Sequence, residues 1–409
     1  MKKGFLSEYF QGVSVKRLSS VEVNAEASNQ HEFNGARGLL NLLGRDKLSD
    51  CPARFLWLGE ENEGISEDSF VTWYDSRENH PTRTEYRLYF RSNPVMELAQ
   101  VNDLLIVAKR PNNEFMIIVV SEGSTIENQL LWLFNLHGNI EAKFQYHQIE
   151  EEENIQVDFA VRFILEELGI EVEEPESERL DNLLEKFNGA FPKTVIFSDF
   201  ARNTISGIVP QDDPDQALLS WIEWEEKLFR RMERHIVSER LNNGFIEPEG
   251  ADVEGFIKFS LSVQNRRKSR IGHALEHHVE AVFKACNVQY DRQAVTENKT
   301  KPDFLFPSME DYHNPFFPVH ELSMLGVKST CKDRWRQVLS EAAKIENKHL
   351  LTLQPGISEN QTNEMKSNNL QLVIPKGLHQ TYQDNQQNWL MSFSDFIMMV
   401  KGKARVLSQ

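Results

Sequence analysis

A chain of 409 residues is longer than one typical globular core uses, so two domains are the expectation. With 40% hydrophobic and 26% charged residues, the composition is that of an ordinary soluble protein and excludes disordered and membranous classes. A formal net charge of −17 speaks at first against a nucleic-acid partner, which usually meets a basic footprint.

The chain opens with MKKGFLSEYFQGVSVKR, two lysines with no apolar segment behind them, which predicts no secretion signal. Apolar runs such as Met116 to Val120 fall far short of the roughly 20 residues of a spanning helix. Cys51, Cys286 and Cys331 are too far apart in sequence for a disulfide framework or a CxxC zinc site. The expected place is the cytoplasm, with no membrane partner. Short β-branched or aromatic runs follow at 55–60, 69–75, 85–90, 103–110 and 115–121, with turn signals such as RPNNE between them. They predict a β-rich barrel or sandwich. A helix, FAVRFILEELGI, ends near Gly169, and the charged EVEEPESERLDN after it reads as exposed linker. The predicted division is a first domain over 1–172, an acidic linker over 173–185 and a second domain over 186–409.

The second domain alternates. Helices are expected at 218–237, at 274–286 with Leu275, Val279, Val282, Phe283 and Cys286 on one face, and at 334–345 with Trp335, Val338, Leu339, Ala342 and Ile345 on one face. Strands are expected at 288–295, 303–307, 322–330, 349–354 and 370–375. That order describes an α/β domain with a mixed sheet. The location of the charge also reverses the first impression it gives. Between Glu150 and Glu185 there are 14 acidic residues against Arg162 and Arg179, while Arg266, Arg267, Lys268 and Arg270 form one dense basic cluster and 328–336 another. Local density, not the total, governs phosphate binding, so the first cluster is a candidate DNA-backbone contact.

Four polar residues stand where a core would not choose them: Asp303 opening KPDFLF, Lys328 closing LSMLGVK, Glu341 on the helix after it, and Glu276 on the helix before the sheet. Phosphodiester hydrolysis needs a divalent cation, an activated water and charge neutralisation. Mg²⁺ takes oxygen ligands, so carboxylates must converge from different elements. A usual nuclease pattern is Pro-Asp, then an acidic residue two before a lysine, because strand alternation puts i and i+2 on one face. Pro302-Asp303 and Lys328 fit it, but Gly326 holds the acidic position, so Glu341 is left to supply the second carboxylate. Lys332, Asp333 and Arg334 between strand and helix suit C·G pairs: the bases donate to guanine and Asp accepts from cytosine N4. An ordinary helix cap at Asp333 reads the same sequence equally well. The adjacent His277-His278 pair makes no zinc face.

QNRRKSRIGHALE, AVTENKTKPDFLFPSMEDYH and LGVKSTCKDRWRQVLSEAAKI closely resemble the EcoRII-like type II (type IIE) restriction endonucleases. The resemblance implies a PD-(D/E)xK nuclease domain whose second carboxylate has moved to the helix. Asp303, Lys328 and Glu341 are then catalytic, with Glu276 accessory, and Asp303 and Glu341 bind Mg²⁺. It implies that Lys332, Asp333 and Arg334 read the outer pairs of a CC…GG type (CCWGG-like) site in double-stranded DNA. In domain one, VKRLSS, WYDSR and TRTEYR are similar to the family's B3-like pseudobarrel, which binds a second copy of the site as effector and restrains the nuclease. Arg77, Arg83, Glu85 and Arg87 match its DNA-contacting loop, while Pro81 and Tyr86 replace basic residues of that loop. Trp221 and Trp224 lie where some members build a base-flipping pocket, but without its arginine; core packing is the plainer reading. A homodimer and a cognate methyltransferase in the same cell complete the implied set. The competing readings are a catalytically silent DNA-binding regulator and a low-specificity repair nuclease.

Overall fold

The structure is a computed structural model that describes residues 5–23, 31–35, 37–59, 64–136, 138–149, 158–172, 181–187, 189–247, 250–331 and 334–406. The chain forms two compact units. One is Met1–Glu173 with Pro355–Gln361 and Thr381–Gln383; the other is Glu174–Gln354 with Thr362–Gln380 and Asp384–Gln409.

The first unit is built on Gly12–Arg17 (β1), Glu32–Asn34 (β2), Leu48–Leu58 (β3), Ile65–Asp75 (β4), Tyr86–Phe90 (β5), Leu104–Lys109 (β6), Phe115–Val120 (β7) and Gln145–Gln148 (β8). They form one sheet in the order β2-β5-β4-β3-β7-β6-β1-β8, in which only β3 and β7 pair in parallel. Strand alternation explains how both faces are buried. Met116, Ile118 and Val120 of β7 enter one core with Leu104 and Ile106, covered by Leu130, Val161, Ile164 and Leu165 from the helices Thr125–Leu133 and Phe159–Glu167. Phe115, Ile117 and Val119 enter the other core with Leu105, Val107, Trp73 and Phe90. The RPNNE signal is the β6–β7 hairpin: Arg110 N–H bonds Glu114 O at 2.8 Å, and Asn112 and Asn113 take the left-handed conformation. Strands β1, β2 and β8 were not among the expected runs.

The second unit begins earlier than expected. Residues 173–180 lie outside the described ones, but Asp181–Phe187 is helical, not extended linker, and Leu183 is 1% exposed in a cluster with Phe197, Leu228, Phe229 and Met232. The helix Thr194–Thr204 follows, then two long helices, Pro214–Asn242 and Val253–Ala285. Asp213 caps the first, with Pro214 behind it, and Asp252 caps the second. A short pair, Ile246–Glu247 (β9) and Gly250–Ala251 (β10), joins them. The second long helix extends 21 residues before the expected start at 274, so the basic cluster 266–270 is helical.

The central sheet has the order β11-β12-β13-β14-β15, from Asp291–Arg292, Phe304–Phe306, Ser323–Lys328, Lys348–Thr352 and Leu370–Val373. β11, β12 and β13 are antiparallel and β13, β14 and β15 parallel, the expected mixed sheet. Phe283 anchors the helix to it, with ring centroids 5.1 Å from Phe304, 5.4 Å from Phe306 and 5.5 Å from Phe393. The strand expected over 288–295 shrinks to Asp291–Arg292.

The largest departure is at 334–345. Only Trp335–Val338 is α-helix; the chain continues in tight turns, with Ser340 N bonded to Gln337 O and Glu341 N to Val338 O. Ala342 then takes φ +48°, a left-handed conformation that no α-helix accommodates. Of the five residues expected on the buried face, Trp335, Val338, Ala342 and Ile345 are at most 3% exposed, while Leu339 is only partly buried.

Candidate active site

Asp303 stands one residue before β12, and Lys328 is the last residue of β13. Because the two strands are antiparallel, the start of one and the end of the other meet at one sheet edge. Lys328 Nζ donates to Asp303 Oδ2 at 2.9 Å, and Val327 N–H donates to the same oxygen at 2.7 Å. The Phe304–Leu325 register, carried one residue further, sets Asp303 beside Gly326. A Cβ at Gly326 would stand 2.9 and 3.1 Å from the two methyl carbons of Val338. An acidic side chain two before the lysine therefore has no room while Val338 packs there.

Glu341 reaches this edge from the turn beyond the helix, not from the helix itself. Burial raises its carboxyl to about 7; the charge of Asp303 pushes the same way, while Lys328 and Lys348 oppose. Its Oε2 is buried and has no hydrogen-bond partner among the described residues. Glu276 projects from the long helix and pairs with Arg292 at 2.8 Å. Burial, then Asp303, raises its carboxyl, against Arg292, His273 and Lys328.

Among the described residues, no group of three or more His, Cys, Asp or Glu converges as a ready-made cage. Mg²⁺ does not need one, because it commonly keeps several waters and takes one or two carboxylates plus substrate phosphate. The unsatisfied, buried Glu341 oxygen near Asp303 fits that ligand chemistry.

The other expected site residues divide. Lys332 and Asp333 lie outside the described residues, and Arg334 is exposed beside them. Of the four basic residues of the cluster, only Lys268 is exposed. Arg270 is 7% exposed, bonded to Glu225 at 3.2 Å and to Glu226, with its guanidinium 4.1 Å from the Phe229 ring centroid. It is thus a buried ion-pair residue, which corrects its expected place on a DNA backbone. Arg267 pairs with buried Glu233, and Arg266 lies over Phe191. In the first unit, Arg77 and Arg87 both pair with Glu85, and Arg87 with Glu32 at 2.7 Å. Arg83 is exposed on the same loop. Tyr86 stacks on Trp73 and donates to Arg45 O, so its ring belongs to the packing.

His278 is fully buried, Nε2 against Glu225 at 2.8 Å and Nδ1 against Arg202 at 3.1 Å, which suits a neutral ring with the proton on Nε2. Trp221 is 6% exposed beside it, and Trp224 donates to Thr204 Oγ1. Sequence reasoning passed over Arg292, which binds both Glu276 and Glu280, and Lys348, the buried lysine that opens β14. Lys348 stands just before the apolar run HLLTL, where a solvated strand end is the ordinary expectation, and nothing local marks Arg292.

Residues 229–397 match the family model described as EcoRII C terminal. The chain is 44% identical over 191 residues to the Type II restriction enzyme EcoRII of Escherichia coli, covering 46% of each chain. It therefore spans about half the length of that curated relative. Solved structures with a resemblance include metal-depleted Ecl18kI in complex with uncleaved, modified DNA, at 16% identity and TM-score 0.44 over 56% of this chain and 85% of that one. Another is a restriction endonuclease PspGI–substrate DNA complex, at 16% identity and TM-score 0.43 over 52% and 93%. Asp303, Lys328 and Glu341 all lie within residues 229–397, so the part of this chain that carries them is similar to the C-terminal domain of EcoRII.

Proposed function

We propose that the protein is a Mg²⁺-dependent type II restriction endonuclease that hydrolyses phosphodiester bonds of double-stranded DNA at a short CC…GG type site. The observation that carries this reading is the Asp303–Lys328 pair at the strand ends, with the half-buried Glu341 feeling the charge of both and its carboxyl pushed up to about 7. Asp303 and Glu341 would hold the metal. When bound, Mg²⁺ supplies charge neutralisation at the phosphate and a more acidic water. Lys328, fixed by Asp303, presents its ammonium to the phosphate or the water, where developing negative charge is stabilised. Glu341 would hold the metal as the deprotonated carboxylate, and Glu276, paired with Arg292, would be the accessory carboxylate. Lys332, Asp333 and Arg334, which follow β13 in the sequence, are proposed to read the outer base pairs.

The first unit is proposed as a B3-like module that binds a second copy of the site through the Arg77–Arg87 loop and restrains the nuclease. A homodimer on a twofold-symmetric site, a cytoplasmic setting and a cognate methyltransferase belong to the same proposal. No helix of the described residues is long and apolar enough to cross a membrane. Incubation of plasmids with the full chain, with and without Mg²⁺, followed by end mapping, tests the activity. Discrete cuts at one motif only with Mg²⁺ are expected. Binding without cuts would favour a silent regulator, and scattered ends a low-specificity nuclease.

A further inference from the structure

The turn that carries Glu341 is tied down at several points. Ala342 N–H donates to Thr296 Oγ1 at 3.3 Å, Ala343 N–H to the Glu297 carboxylate at 3.2 Å, and Lys344 N–H to Tyr312 Oη at 3.3 Å. From the opposite side comes Lys348, 6% exposed, whose Nζ donates to Ala342 O at 3.2 Å and Ile345 O at 2.6 Å. Its hydrogen bonds go to carbonyls and not to a carboxylate, an unusual use of a buried ammonium. Removing an ammonium from water is costly, and a methionine would fill the same space without that cost. The left-handed Ala342 immediately after Glu341 is itself unfavourable and persists only where its surroundings over-determine it.

We infer that Lys348 is a positioning residue of the nuclease site: its amine clasps the carbonyls of the turn 342–345 and so holds the Glu341 carboxylate towards Asp303 and Lys328. The inference rests on the proposed metal role of Glu341. The clasp acts from β14, the strand paired with the one that carries Lys328, so carboxylate and lysine are referenced to one rigid sheet. Residues that orient metal ligands typically cost 10–100-fold in affinity when removed.

The test uses the full chain and Mn²⁺ as probe, with binding read by electron paramagnetic resonance and folding by circular dichroism. Lys348→Met is expected to fold, melt at a lower temperature and bind Mn²⁺ about 10–100-fold more weakly. Lys348→Arg, which keeps the charge and its donors, is expected to recover most of that loss. In a Glu341→Ala background, Lys348→Met should cost no further affinity, because the clasp acts only through that carboxylate. If Lys348→Met does not fold, Lys348→Gln carries the same comparison. Wild-type Mn²⁺ affinity in a folded variant overturns the inference, as does an additive loss in the double variant. Failure of both variants to fold also overturns it, because the amine would then be holding the sheet. If Glu341→Ala alone leaves Mn²⁺ affinity intact, the metal reading of Glu341 falls first, which separates the two failures.

Discussion

Glu341 combines a carboxyl that titrates near 7 with an oxygen that has no partner, a state a protein maintains only at a cost. Glu341→Gln is expected to lower cleavage by at least about 10²-fold while leaving Ca²⁺-supported DNA binding within a few-fold. Cleavage close to wild type in that variant removes Glu341 from the site. The raised carboxyl also sets a sign for stability. Folding takes up a proton at this group, so its contribution is full below about 4.5 and is lost as pH rises through about 7. The melting temperature of the metal-free protein should therefore drift down across that window, and Glu341→Gln should flatten the drift. Divalent-ion affinity should move the other way, weakening below about pH 7 as protons compete for the ligand. Asp303 and Lys328 stand out in the sequence because each sits at an end of an apolar strand, and the structure pairs them at 2.9 Å. Lys348 was not recognised, because periodicity shows a buried position but not what its amine holds.

At the scale of elements, 334–345 shows what periodicity reports. Trp335, Val338, Ala342 and Ile345 have helical spacing and are buried as predicted, yet only one turn of helix forms. Burial spacing is set by the face presented to the core, and here a left-handed residue and side-chain ties from 296, 297, 312 and 348 outcompete local propensity. The basic cluster teaches the complementary lesson: its residues share a helix but not a face. Arg270→Ala is expected to destabilise the protein by about 3–5 kcal/mol, because it leaves buried Glu225 without its cation. Lys268→Ala should leave the melting temperature unchanged and reduce the salt dependence of DNA binding by about one unit of slope. Equal, mild effects of both on stability would mean that Arg270 is not the buried partner described.

For the whole molecule, composition misleads at the acidic stretch, which resembles linker even where the helix Asp181–Phe187 forms. A nuclease fragment starting at 186 would cut the helix Asp181–Phe187 and lose Leu183 from its cluster. A fragment starting at 174 keeps both. It is expected to melt at a higher temperature than the 186 fragment and, if the first unit restrains cleavage, to cut one-site plasmids faster than the full chain. Folded but no faster, it would make the first unit a targeting module. The contact between Gly326 and Val338 limits what position 326 can carry. A carboxylate added at 326 while Val338 keeps its two methyl groups meets them at once, whatever Glu341 does. Gly326→Glu alone is expected to be inactive and overpacked by about 1–3 kcal/mol, whereas joining it to Val338→Ala and Glu341→Gln should return some metal-dependent cutting. The side chain that closes position 326 is Val338, so a carboxylate there becomes usable only once that valine is cut back.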